Sequence, residues 1–310
     1  MKVLYVCSAA RCGSTLTDMF LGGHPQATSL GEVNFLAKAI RVGERCSCGA
    51  LVRDCPDWQA VFKRLAPWGF DPQQPYRFRL WDAVAWTYVD QAHQTRGFLA
   101  AVRMRKSWMA LRDLLPEGVR PHCPVPPAYE QALVNKMRLY EAVAAAWDKE
   151  VVIDSSKNVR EAVELYQRDP DTVRILLVTR DGRGVYLSRR SSGRDREESV
   201  RGWLSYYGRA LALLEKHVPA EARMQLKYED IASAPQRAGE TLCNFVGLRF
   251  QESMLQLDGV VRHMVNGNAT RFAPGKGIKL DERWRHDLQP AELSYFDGRG
   301  GRMNAALGYR

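Results

Sequence analysis

Short apolar runs alternate along the chain with longer amphipathic stretches, and that alternation predicts an α/β fold. Residues 2–7 (KVLYVC) read as a buried strand, with 3–7 as its apolar part. Residues 151–154 (VVID), 174–179 (RILLVT) and 224–227 (MQLK) are further strand candidates, and 27–30 offer a short fifth. The middle ones are β-branched and apolar throughout, as in a parallel sheet covered on both faces. Helical periodicity fills the gaps at residues 15–21, 133–147, 159–167 and 197–216, and Asp169-Pro170 stops the third of these. Strand–helix alternation of this kind predicts a three-layer sandwich around a central parallel sheet, with ligands at the C-terminal strand ends. Residues 58–130 lack strand signals. They hold helix-like runs such as 81–109 and a Pro-rich loop at 116–127. The expectation is one domain over 1–310 with a helical insertion at about 58–130, long enough to cap the sheet edge and form a pocket.

The first strand leads into Ser8-Ala9-Ala10-Arg11-Cys12-Gly13-Ser14-Thr15-Leu16. A strand, a loop of small residues and a helix N-terminus make an anion cradle, because backbone N–H groups point into it and the helix dipole favours negative charge. The position is that of a P-loop, so the sandwich is P-loop-like. The G-x-x-x-x-G-K-[ST] pattern, however, needs a second Gly and a Lys before the hydroxyl. Here Arg11 precedes one Gly and no Lys follows, which argues against an NTPase. The competing structural role is an ordinary helix N-cap by Ser14 or Thr15.

Three more elements fall where this architecture brings strand ends together. Ile153-Asp154-Ser155-Ser156-Lys157 closes a strand and aims Lys157 at the cradle, the alternative being the common surface lysine after a strand. Thr179-Arg180-Asp181-Gly182-Arg183 closes another, with Ser188 eight residues beyond Arg180. Arg180 and Ser188 suit one phosphate, by guanidinium fork and hydroxyl. The alternative is an Asp-Gly turn with solvated arginines. Gly22-Gly23-His24-Pro25 ends the first helix, and the returning chain places Glu32 at the end of a short strand. A carboxylate beside an anion pocket costs energy, so it needs a reason: general-base work, or an ion pair with a nearby cation.

Composition changes this picture little. The 310 residues are 45% hydrophobic and 26% charged, as in an ordinary globular protein, and no run is long enough to span a bilayer. The apolar N-terminus lacks the length and basic flank of a signal peptide, so a cytoplasmic protein is expected. The net charge of +10 favours anionic ligands. Seven cysteines are an odd number, which argues against a fully paired secreted framework. Cys46, Cys48 and Cys55 lie close together. Their spacing suits zinc thiolates, with Cys12, Cys123 or His122 as candidate fourth ligands, but buried thiols or a structural disulfide are favoured over metal.

Taken in order, these motifs resemble the sulfotransferase family that uses 3′-phosphoadenosine-5′-phosphosulfate (PAPS). Arg11–Thr15 is similar to its 5′-phosphosulfate loop, and Thr179–Arg183 with Ser188 to its 3′-phosphate motif. Lys227-Tyr228-Glu229-Asp230-Ile231 is similar to the family's Tyr-Glu-Asp-Leu segment. Gly267-Asn268 with Arg271, and Asp281-Glu282-Arg283-Trp284-Arg285, resemble the segment that closes over the nucleotide. The likeness runs from residue 2 to about 288. It is closer to the tyrosylprotein and bacterial carbohydrate-type branches than to the cytosolic phenol and steroid branch. That branch has Lys where this chain has Arg11, and a catalytic His where this chain has Val159. The tyrosylprotein branch places its base Glu twenty-one residues after the loop Arg, the spacing of Arg11 and Glu32.

The resemblance implies a sulfuryl transfer from PAPS to a hydroxyl acceptor, with Glu32 as base and Lys157 and Arg11 stabilising charge. It implies that Arg11, Cys12, Gly13, Ser14, Thr15, Arg180, Ser188, Tyr228 and Arg271 bind the nucleotide and that no metal is required. The acceptor is expected to be a carbohydrate, lipid or natural-product alcohol, with Trp81, Trp86, Tyr88 and Trp108 as pocket or core aromatics. A homodimer is compatible with this reading. The competing readings are a P-loop-type kinase using ATP, and a basic nucleic-acid-binding protein, for which no standard module appears.

Overall fold

Five strands, β1 (Lys2–Ser8), β2 (Ala27–Ser29), β3 (Val151–Asp154), β4 (Val173–Thr179) and β5 (Arg223–Lys227), form one parallel sheet in the order β2-β3-β1-β4-β5. The structure is a computed structural model that describes residues 1–80, 96–116, 118–272 and 277–310. β1 lies at the centre, with Tyr5 opposite Asp154 on one side and Ser8 opposite Val178 on the other. The two-residue period of a strand divides the apolar runs between two cores. Val3, Tyr5, Val152, Ile175 and Leu177 enter one, and Leu4, Val6, Ile153, Leu176 and Val178 enter the other. A strand buried on both sides reads as continuously apolar, which is why these four-to-seven-residue runs stand out.

Helices cover both faces: α1 (Ser14–Leu21), α2 (Leu36–Val42), α3 (Pro56–Leu65), α4 (Arg96–Leu114), α5 (Pro127–Trp147), α6 (Val159–Arg168), α7 (Gly182–Arg190), α8 (Arg196–His217), α9 (Tyr228–Ser233), α10 (Pro235–Val246), α11 (Trp284–Asp287) and α12 (Pro290–Ala306). Side-chain caps start three of them: Asn158 accepts from the Glu161 N–H, Asp181 from Arg183, and Asp195 from Glu198. α5 begins six residues before its apolar periodicity does, because Pro127 sits in its first turn, where a missing N–H costs nothing.

The predicted helical run at 81–109 coincides with α4 only from Arg96, and 81–95 lie outside the described residues. Trp81, Trp86 and Tyr88 fall in that stretch. Trp108 donates its indole N–H to the Pro124 carbonyl at 3.0 Å, which ties the Pro-rich loop to α4. Two buried arginines, Arg112 and Arg120, converge on Glu164 of α6 and anchor the inserted region to the sheet layer.

Beneath the C-terminal ends of β1 and β3 lies a buried polar cluster. The Lys136 ammonium, from α5, stands 3.0 Å from Asp154 and 2.8 Å from Glu161, and it donates to the Asn34 amide oxygen. Tyr140 donates to Asp154 at 2.6 Å and Tyr5 to Glu161 at 2.9 Å. Burial pulls the Lys136 pKa down, but the two carboxylates outweigh it and hold the ammonium above its ordinary range. Burial also pushes Glu161 up, opposed by Lys136. Removing one partner of such a cluster strands buried charge. Lys136→Met should therefore cost roughly 3–5 kcal/mol of unfolding free energy in a urea titration. A loss below about 1 kcal/mol would show that the cluster is dispensable.

Candidate functional site

The predicted motifs that follow β1 to β5 lie on segments leaving the C-terminal edge of the sheet, where open α/β sheets bind ligands. The loops after β1, β3, β4 and β5 line one cavity of about 760 Å³, whose wall includes Arg11, Gly13, Ser14, Thr15, Lys157, Arg180, Ser188 and Tyr228. The far wall comes from Gly267, Asn268, Thr270, Asp281 and Arg283.

The cradle after β1 is built by two left-handed residues, Arg11 (φ 74°) and Gly13 (φ 87°). Gly13 caps α1, and neither Ser14 nor Thr15 serves as the N-cap. The first N–H groups of α1 thus have no side-chain cap, which is the arrangement an anion site needs. A Cβ on Gly13 would stand 2.5 Å from the Tyr228 ring, so both its φ and its neighbour demand glycine. Thr15 accepts through Oγ1 from the Asn268 N–H at 3.3 Å, which joins the cradle to the far wall. Cys12 faces away: its thiol lies buried behind the loop beside Tyr207, and burial raises its pKa to about 11. Its side chain is not part of the cavity wall.

Arg180 connects the two halves. Its guanidinium donates to the Arg11 carbonyl and to Asp281 Oδ2, both at 3.1 Å, and lies 4.6 Å from the centre of the Tyr228 ring. The Tyr228 hydroxyl donates to the Lys279 carbonyl and accepts from the Asp281 N–H, each at 3.0 Å. Arg283 and then Arg180 hold the Asp281 carboxyl well below the usual carboxylate range. A carboxylate thus sits on Arg180 inside the cavity, in the place an anionic ligand group would take. Behind it, the turn is fixed by Asn304, which accepts from the Gly182 N–H at 2.8 Å, and by Glu229, which accepts from the Asp181 N–H at 3.0 Å.

Glu32 and Lys157 meet as a short ion pair, Oε1 to Nζ 2.5 Å, partly exposed; Lys157 is in the cavity wall, and Glu32 stands behind it, outside the wall. Lys157 adopts φ 65°, and its carbonyl accepts from the Tyr206 hydroxyl at 2.8 Å. The Glu32 N–H donates to the Val265 carbonyl at 2.9 Å, and Asn266 reaches Glu32 Oε2 at 3.5 Å. Of the sequence-predicted site residues, Arg271 departs furthest. Its buried guanidinium donates to Glu44 at 2.6 Å and to the Gly267 carbonyl at 3.0 Å, outside the cavity wall. Its acidic partner Glu44 lies two residues before Cys46 and 227 residues from the arginine, so it was not visible from the arginine's own surroundings. Thr270 is a wall residue that carries no charge signature of a phosphate site.

In the cysteine loop Cys46 and Cys55 are buried free thiols and Cys48 is exposed, with no disulfide among them. All seven cysteines are free, and Cys46, Cys48 and Cys55 gather around His263 rather than Cys12, Cys123 or His122. Among the described residues no helix is long and apolar enough to cross a membrane.

The sequence profile described as the Sulfotransferase family matches residues 4–252, and the chain belongs to that family. It is a sulfotransferase enzyme, built on the family's P-loop-like α/β fold. Among solved structures, the sulfotransferase domain from the Synechococcus PCC 7002 olefin synthase superposes with TM-score 0.56 at 18% identity, covering 100% of this chain and 95% of that one. The sulfotransferase domain from the curacin biosynthetic pathway gives 0.54 at 16% identity, with 100% and 98% covered. At these identities the likeness is one of fold. No curated protein matches the chain in sequence.

Two outcomes follow from this geometry. Arg180→Ala should weaken binding of adenosine-3′,5′-bisphosphate roughly 10–100-fold by calorimetry, the worth of a charge-assisted bidentate contact. Unchanged affinity would remove Arg180 from the anion site. The second concerns Asp18, buried in α1 and accepting from Ser155 at 2.5 Å and Ser29 at 2.6 Å. Burial pushes its carboxyl from 3.8 up to about 7. The folded chain then keeps a proton that the unfolded chain releases near pH 4, so this contribution to stability is full below about pH 4 and is lost as pH rises to about 7. The total is up to about 4 kcal/mol. Asp18→Asn should flatten the stability–pH curve between pH 4 and 7, read from urea midpoints; an unchanged slope would contradict the protonated state.

Proposed function

We propose that the chain moves a sulfuryl group from PAPS to the hydroxyl of a carbohydrate, lipid or natural-product alcohol, with Glu32 as the base. The observation that carries this reading is that the uncapped α1 cradle and the Arg180 turn open into a single cavity, with the Glu32–Lys157 pair beside them. The donor set fits a nucleotide with two phosphate groups. Gly13, Ser14 and Thr15 offer N–H groups and hydroxyls to the 5′ side, while Arg180 and Ser188 serve the 3′-phosphate, where Asp281 now occupies the guanidinium. Tyr228 supplies the ring that seals Gly13 and backs Arg180. Arg11 and Lys157 supply positive charge without any requirement for a metal in the transfer.

PAPS, once bound, supplies the activated sulfuryl group. The residues do the rest. Sulfuryl transfer, like phosphoryl transfer, asks for in-line positioning, neutralisation of charge on the equatorial and leaving oxygens, and removal of the acceptor proton. In the resting site Glu32 engages the Lys157 ammonium. An anion bound in the cradle competes for that ammonium, and as Lys157 turns toward it a Glu32 oxygen is freed to take the acceptor proton. Donor binding and exposure of the base are therefore coupled.

Glu32→Gln should lower turnover by about 10²–10⁴-fold, the usual worth of a general base, while affinity for adenosine-3′,5′-bisphosphate stays within a few-fold. Unchanged turnover would remove Glu32 as base. A mass-spectrometric screen of alcohol acceptors with PAPS identifies the acceptor class. Tighter calorimetric binding of ATP with Mg²⁺ than of adenosine-3′,5′-bisphosphate would favour the kinase reading instead.

A further inference from the structure

Outside the cavity wall, three thiols and one imidazole converge from opposite ends of the chain. Cys46, Cys48, Cys55 and His263 place their ligand atoms within 4.8 Å of one another. We propose that these four residues form a closed, structural zinc site that staples the 262–266 segment to the loop preceding α3.

The distances fit a tetrahedron. Zinc–sulfur bonds of about 2.3 Å and zinc–nitrogen bonds of about 2.0–2.1 Å require edges of roughly 3.8 Å between sulfurs and roughly 3.6 Å between sulfur and nitrogen. The structure has 3.7 Å between the Cys48 and Cys55 sulfurs, 3.7 Å from Cys46 Sγ to His263 Nδ1, and 3.3 Å from Cys55 Sγ to the same nitrogen. A disulfide needs about 2.05 Å, and would leave the third thiol and the imidazole with no function in the cluster.

The surroundings are those of a metal–thiolate site. His263 Nε2 stands 3.2 Å from Asp57 Oδ2, so Nε2–H donates to the carboxylate and the Nδ1 lone pair faces the sulfurs. Backbone N–H groups also point at sulfur: that of Cys48 at Cys46, and those of Trp58 and Asp57, in the first turn of α3, at Cys55. Gly49, at φ 96°, donates to the Cys46 carbonyl at 2.8 Å and closes the knuckle that turns Cys46 and Cys48 inward. Three soft thiolates and one imidazole select zinc over magnesium or calcium. Four protein ligands leave no open position, which makes the site structural.

The staple closes a long loop, since 208 residues separate Cys55 from His263. Ser47 strengthens the same seam: its hydroxyl donates to the Arg262 carbonyl at 2.6 Å and accepts from the Met264 N–H at 2.8 Å. Val265 then pairs with the chain at Leu30 and Glu32, at 2.8 and 2.9 Å. The metal would thus fix the backbone on which Glu32 sits. The site itself does not rest on the sulfuryl-transfer reading, and its test reads metal rather than turnover.

Full-length protein purified under reducing conditions without chelator should contain one zinc per chain by elemental analysis. Cobalt exchanged for zinc should show thiolate-to-cobalt charge transfer and the d–d bands of a tetrahedral ion. Asp57→Asn should weaken metal affinity roughly 10–100-fold with the ligand set intact. A strong chelator should lower the wild-type Tm by more than about 5 °C, and added zinc should restore it. The proposal is overturned if folded, reduced wild-type protein takes up neither zinc nor cobalt. A Cys48–Cys55 disulfide in that protein, or equal zinc content in a variant with all three cysteines changed to Ser, would overturn it too.

Discussion

A buried ammonium holds the site in place. Lys136 projects from α5 into the space beneath the β1 and β3 ends, and its partners include Asp154 and Asn34, beside which the segments carrying Lys157 and Glu32 run. Asp154 is the last residue of β3, three before Lys157, and it also accepts from the Ser156 N–H at 2.7 Å. Asn34 lies two residues after Glu32 and takes both the Lys136 ammonium and the Ser156 hydroxyl as partners. Two loops far apart in sequence are therefore tied to one charge. Such a cluster gives little net stability against an apolar core of the same shape, but its hydrogen bonds are directional. What it contributes is the relative placement of Glu32 and Lys157, which van der Waals packing alone would leave looser.

The second half of the site is fixed differently, by close approach rather than by charge. Gly13 touches Tyr228, Gly182 leaves room for Phe296 and Trp203, and Arg180 lies against the Tyr228 ring. A Cβ at Gly182 would stand 2.4 Å from Phe296, so the turn after β4 and the C-terminal helix α12 must be built together. Tyr309 completes the seam with hydrogen bonds to Thr179 at 3.1 Å and Glu229 at 2.9 Å. The 304–309 segment thereby supports the Arg180 turn without entering the cavity.

These two kinds of constraint explain what could be read from the sequence. The inner strands β1, β3 and β4 were legible because parallel strands buried on both faces are largely apolar, and the predicted and observed limits of all five differ by a residue at most. The cradle was legible because Gly13 and its hydroxyls sit at a strand–helix junction. α12 was not, since Gly298, Gly300 and Gly301 lower its helix propensity and its amphipathicity is weak; Phe296 packing into the space left by Gly182 and Gly300 overrides that. Arg271 lies outside the cavity wall on Glu44, and no spacing rule links those positions. His263 was invisible for the same reason. A ligand 208 residues from Cys55 enters the cysteine cluster only through the pairing of Val265 with the edge of β2's loop.

Two of the cationic candidates in the cavity wall, Lys157 and Arg180, are matched by internal counter-ions. Glu32 neutralises Lys157 at 2.5 Å, and Asp281 neutralises Arg180 at 3.1 Å. A site built only of cations would repel itself, and its side chains would be spread in solvent rather than preorganised. Pairing Lys157 and Arg180 with carboxylates keeps them in position at the cost of a competition that, on the proposed reading, an incoming phosphate must win. A phosphate carries more charge and more acceptor oxygens than a carboxylate, so it has the advantage wherever the backbone N–H groups of the cradle add to the cation. The two displaced carboxylates then have different fates. Asp281 belongs to a segment held by Tyr228 and Arg283, and it stays at the rim. Glu32 is anchored by its backbone to Val265, and on the proposed reading it keeps its place while its side chain is released to act as base.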